Sequence, residues 1–148
     1  MPDYIKIDEA AVRKMMADLG AEANHDAINA ALVAAAKVLE AETKAALVEK
    51  VPGATSEHFR MRHGKRQSYG RPVDGVKSNF ERAAEKVHIM GDHRLKWFET
   101  GTAPRTTRKG YYRGAITPTN FFAEAYDKAK PAMDEAARNA LNDHFKKL

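Results

Sequence analysis

The chain has 148 residues, a single-domain length, with 43 % apolar and 30 % charged residues, the balance of a folded globular chain rather than a disordered one. It contains no cysteine, which excludes disulfides, thiolate metal sites, iron–sulfur clusters and cysteine nucleophiles. No apolar run is long enough to span a membrane, and Met1-Pro2-Asp3-Tyr4-Ile5-Lys6 has no basic-then-apolar leader, so the expectation is a soluble protein of a reducing compartment with no membrane partner.

The formal charge of +5 is unevenly spread: residues 1–56 are net −3, residues 57–113 net +8, and residues 114–148 neutral. Tyr4-Ile5-Lys6-Ile7 predicts a short edge strand. Asp8 reads as the N-cap of a helix with Val12, Met15, Met16 and Leu19 at helical spacing and Gly20 as its stop, so residues 1–22 form an N-terminal arm. A longer helix is predicted over 24–50, with Ile28, Ala31, Leu32, Ala35, Leu39, Ala46 and Leu47 as its apolar stripe and Pro52-Gly53 ending it. Residues 53–75, rich in glycine and poor in apolar periodicity, read as a long basic loop carrying Arg60, Arg62, Lys65, Arg66 and Arg71 among His58, Phe59, His63 and Tyr69.

Strand signals come next. Residues 76–80 give a weak one and Val87-His88-Ile89-Met90 a better one. Gly91-Asp92 then reads as a turn, with 94–99 as the return strand of an antiparallel hairpin. That strand would set Leu95, Trp97 and Glu99 on one face and Lys96 and Phe98 on the other. Trp97 is expected in the core, where truncation costs about 3–5 kcal/mol. Residues 101–118 form a second long basic loop with Arg105, Arg108, Lys109 and Arg113 around Tyr111 and Tyr112. Thr119 or Asn120 caps a last helix whose stripe runs from Phe122 through Ala125, Tyr126, Ala129, Met133, Ala137 and Leu141, and Pro131 should kink or split it. The expected architecture is a single α+β domain over 1–148: a small antiparallel sheet with a hairpin, packed by one long helix before it and a kinked one after it.

The sequence offers little catalytic machinery. The six histidines have no zinc-protease spacing, and neither a nucleophile elbow, a phosphate-cradling loop nor a dinucleotide fingerprint occurs. His88 and His93 flank the expected turn as solvated neighbours. Glu99 is the acid that stands out, placed to accept hydrogen bonds from the loop after it or to pair with Arg105 or Arg113 and so pin that loop to the sheet. No catalytic residue, metal or cofactor is assigned.

The run His88-Ile89-Met90-Gly91-Asp92, then Leu95-Lys96-Trp97-Phe98-Glu99-Thr100-Gly101-Thr102, Arg105, Arg113-Gly114 and Phe121-Phe122-Ala123-Glu124-Ala125 resembles a family of small tail-component or neck proteins of HK-type siphophages. The family pattern is an aromatic followed by Glu-x-Gly-Thr, a variable loop, then a Phe-containing helix start and Ala. It maps here to Trp97, Phe98, Glu99, Gly101, Thr102, Gly114, Phe121, Phe122 and Ala125, within a resemblance spanning about residues 22–146. Many relatives place proline directly before the helix-opening phenylalanine, whereas here Thr119 and Asn120 separate Pro118 from Phe121.

The resemblance implies a structural virion protein at the head–tail junction, assembled in the bacterial host cytoplasm. It implies a hexameric or dodecameric homo-oligomeric ring between portal or head-closure (adaptor) proteins and the tail-terminator or tail-tube proteins, acting in tail completion around the DNA channel. The basic residues of the two loops would then contact partners or, without sequence preference, packaged double-stranded DNA. The alternative is a nucleic-acid-binding module using the same loops, with Tyr69, Tyr111 and Tyr112 as stacking residues. A small basic nuclease using His88 or His93 is a third reading, with no composed acid–base pair behind it.

Overall fold

A computed structural model describes residues 21–147; the expected strand at 4–7 and helix at 8–20 lie outside the described residues. The fold is α+β, with helices α1 (Ala21–Lys50), α2 (His93–Thr100) and α3 (Phe121–Phe145), and strands β1 (His58–Arg62), β2 (Lys65–Gly70), β3 (Val76–Glu81) and β4 (Lys86–Met90). A 3₁₀ turn, Pro72–Gly75, links β2 to β3. The strands form two separate antiparallel pairs, β1–β2 and β3–β4.

The core is an α1–α3 helix pair. Ala125, Ala129, Met133, Ala137 and Leu141 recur every fourth residue and are all buried, a ridge along one face of α3. It meets Ala27, Ala31, Leu32, Ala35, Ala36, Leu39 and Leu47 of α1. Alanine on both sides lets the helix axes come close. Ion pairs fix the direction: Lys50 bonds Glu124 and Glu42 pairs with Lys128 at 3.0 Å, so α3 runs antiparallel to α1. Pro131 lies on the exposed side of α3, which continues through it undivided.

The β3–β4 pair is the smaller layer. Its inward side chains Val76, Val87 and Ile89 are fully buried against α1. Glu40 of α1 ties the layers together, accepting hydrogen bonds from the Ser78 N–H (2.9 Å) and hydroxyl (2.7 Å) while Lys44 donates from the next turn (2.7 Å). Burial alone would raise the Glu40 pKa, but the bonds from Lys44 and Ser78 outweigh it and hold the carboxyl at about 2.

Two expectations are corrected. First, 53–75 is not one long loop. Phe59 and Met61 alternate with Arg60 and Arg62 along β1, and His63 and Gly64, both at positive φ, make the two-residue turn that matches the twist of a hairpin. Second, 94–99 is not a strand: it lies in α2, and β4 pairs with β3 instead. Asp92 is the helix N-cap, accepting from the Arg94 N–H at 2.9 Å. Leu95 and Glu99, four residues apart, are buried, while Trp97 is 40 % exposed. Trp97 therefore belongs to the surface, not the core, with His93 edge-on to its ring at 5.0 Å.

Candidate functional site

Of the residues that carry the resemblance, Glu99, Gly101, Thr102, Phe121 and Phe122 meet at the junction of α2 and α3, while His88–Asp92 lie on β4 and the turn after it and Arg105, Arg113 and Gly114 in the segment between the helices. Glu99 is 2 % exposed, and its carboxylate accepts from the N–H groups of Phe122 (2.7 Å) and Ala123 (3.2 Å). These are free donors in the first turn of α3, and a carboxylate there satisfies them and complements the helix dipole. Asn120, expected as a cap, has φ 51 and makes no side-chain cap. Glu99 takes that role from across the fold. It binds the helix start rather than Arg105, Arg113 or the loop backbone, so the expected loop pairing is replaced by a helix cap.

The neighbouring motif residues close a clasp. Thr119 donates to the Phe98 carbonyl from both its N–H (3.0 Å) and hydroxyl (2.7 Å), and the Asn120 N–H donates to the Glu99 carbonyl (3.2 Å). The Thr102 N–H donates to the Ile116 carbonyl (2.9 Å), while the Thr102 hydroxyl accepts from the Ile116 N–H (3.0 Å). Gly101 sits at φ 73, ψ 179, a region only glycine occupies readily. A Cβ there would lie 2.6 Å from the Ile116 carbonyl oxygen. Phe121 and Phe122 are buried just beyond it.

Held by this clasp, residues 102–116 form the expected loop, drawn into an arm by backbone bonds between its two limbs. The Arg105 N–H donates to Gly114 O and the Arg113 N–H to Arg105 O (3.1 and 2.6 Å), Thr106 bridges Tyr112, and the tip closes with the Thr107 N–H on Tyr111 O (2.8 Å). Arg105, Arg108, Lys109, Tyr111, Tyr112 and Arg113 are all exposed. Arg105 lies over the Trp97 ring, 5.8 Å from its centroid.

The other basic cluster occupies the β1–β2 hairpin and the start of the 3₁₀ turn. Arg66 stacks on Phe59 (3.7 Å) and Arg60 on Tyr69 (4.4 Å), Arg60 also donates to Gln67 (3.0 Å), and Arg71 forms a two-bond pair with Asp74 (2.8 and 2.9 Å). Arg62 and Lys65 flank the hairpin turn in solvent. The hairpin is anchored by a residue that the sequence pattern did not single out. Arg94, 7 % exposed, donates to the carbonyls of Tyr69 (2.9 Å) and Gly70 (3.2 Å) and to the Asp92 carboxylate. An Asp-x-Arg start to a short helix was the available signal. Burial would raise the Asp92 pKa, but the Arg94 hydrogen bonds outweigh it and lower the value.

Of the two histidines flanking residues 89–92, His88 lies 3.9 Å from Glu81 on the β3–β4 pair, and His93 meets the Trp97 ring edge-on. Among the described residues no helix is long and apolar enough to cross a membrane. No family model matches the chain, nor does any curated protein or solved structure.

Proposed function

We propose that this chain is a structural subunit of the tailed-phage neck, forming a ring between the head-closure and tail proteins around the DNA conduit. It has no catalytic role and acts at the virion's head–tail junction after assembly in the host cytoplasm. The observation that carries the reading is the clasp. Glu99, Gly101, Thr102, Phe121 and Phe122 spend their chemistry on holding an arm outward, which suits residues kept for architecture rather than turnover.

The charge layout supports it as well. Helices α1 and α3 together carry 10 acidic and 6 basic residues, whereas residues 58–70 and 102–116 carry four Lys/Arg each and no carboxylate. An acidic body with basic projections suits head-to-tail association, in which one copy's projection meets the next copy's body and the series closes as a ring. The β1–β2 hairpin exposes Phe59 and Met61, aliphatic and aromatic surface of the kind such a contact uses.

The test is particle assembly with and without the protein, together with its mass by light scattering. Rings of fixed diameter, and tailless or leaking heads in its absence, are expected. Complete infectious particles without it, or a strict monomer that never enters particles, would overturn the reading.

A further inference from the structure

We infer that the two basic projections have different ligands, and that the 102–116 arm is the surface that binds the phosphate backbone of duplex DNA. The choice of a duplex rests on the neck reading; the choice of arm rests on chemistry in the structure. From residue 105 to residue 113 every side chain except that of Gly110 ends in an N–H or O–H donor: arginine, threonine, lysine or tyrosine. Phosphate oxygens accept from all four. No carboxylate occurs between Glu99 and Glu124, and Glu99 is buried and turned to α3, so nothing in the arm repels a polyanion.

The arm's cations are also free. Among the described residues the side chains of Arg108, Lys109 and Arg113 make no hydrogen bond or ion pair, and Arg105 touches only the Trp97 face. In the β1–β2 region, by contrast, Arg60, Arg66 and Arg71 are already engaged with Tyr69 and Gln67, with Phe59 and with Asp74. Phe59 and Met61 between them offer a phosphate nothing. The backbone bonds at the arm's base and tip hold the donors together on one exposed ribbon. Phosphate contacts of this kind position a duplex without reading its sequence.

The experiment measures binding of the full chain to a short labelled mixed-sequence duplex, and to one of its single strands, across a salt series. Each phosphate contact contributes about 0.9 to the slope of log K against log salt. Replacing Arg105, Arg108, Lys109 and Arg113 together by Ala should lower that slope by about 3–4 and weaken low-salt binding more than tenfold, with an unchanged unfolding midpoint. The Arg62→Ala, Lys65→Ala double variant should keep the wild-type slope. An unchanged slope in the arm variant, loss of the slope in the hairpin variant, no duplex binding by the wild type, or single-strand binding tighter than duplex would each overturn the inference. Light scattering on the same samples separates the two readings. A wild-type monomer that keeps the arm-dependent slope ends the neck reading and leaves the arm assignment standing. A stable ring with no arm-dependent slope does the reverse.

Discussion

Glu99 shows how one side chain can decide whether two elements meet correctly. Its carboxylate is nearly sealed from solvent and satisfies two first-turn donors of a helix that begins 22 residues later. Removing it orphans those donors in a buried place, so Glu99→Ala should lose about 2–3 kcal/mol in urea unfolding, while Glu99→Gln, which keeps an acceptor, loses less. Gly101 is the second fixed point. Gly101→Ala brings a Cβ against backbone at 2.6 Å and 2.9 Å and should destabilise by about 3 kcal/mol or more. Gly114 is at φ 79 with open space around it, so Gly114→Ala should cost only about 1–2 kcal/mol. Unfolding midpoints of the pair check both numbers.

Among the elements, α1 and α3 were legible because their apolar stripes run long enough to fix a 3.6-residue period. β4 is legible from Val87 and Ile89 alternating with His88, whereas β3, with Val76 as its one β-branched residue, gives only a weak signal. The α2 segment reads equally as a strand because over five residues Leu95-Lys96-Trp97-Phe98-Glu99 satisfies alternation as well as helical spacing. What settled it was tertiary, with Leu95 and Glu99 facing inward together. The β1–β2 hairpin was missed because its alternation sets Phe59 and Met61 against arginines, with no core to face, and glycine density outweighed it. The correction changes a prediction: Leu95→Ala should cost about 2–5 kcal/mol and Trp97→Ala only about 1–2 kcal/mol, by chemical denaturation.

The α1–β3 contact predicts a pH dependence. The Glu40 carboxyl is depressed in the fold to about 2 from 4.5. Its contribution is therefore complete above about pH 4.5 and is lost as pH falls towards 2. The lowered Asp92 acts in the same direction below its ordinary value. The unfolding midpoint should fall across that window, and Glu40→Gln should flatten the fall.

At the scale of the whole molecule, burial and exposed charge fall to different parts. The helical body and the β3–β4 pair hold the buried side chains, whereas the β1–β2 hairpin is exposed along almost its whole length, as is the 102–116 arm. Both projections are rich in tryptic sites. Limited trypsin digestion of the free chain should cut first within 60–66 and 105–113, leaving the α1–α3 pair intact. Added duplex should protect the arm's sites while those of the hairpin stay open. Mass spectrometry of the early fragments reads this directly. The two basic stretches are equally rich in Lys and Arg and so look alike in sequence; what differs is that Arg60, Arg66 and Arg71 already contact Tyr69, Phe59 and Asp74 in the fold, whereas Arg108, Lys109 and Arg113 stand in solvent.

The clasp has one more consequence. Thr102 and Ile116 are stitched together at the root, and the segment between them meets the helices behind through Arg105 over the Trp97 ring. The ribbon beyond that contact can thus be lengthened, shortened or recoloured with other charges while the root stays closed, much as a tool head is exchanged on a fixed handle.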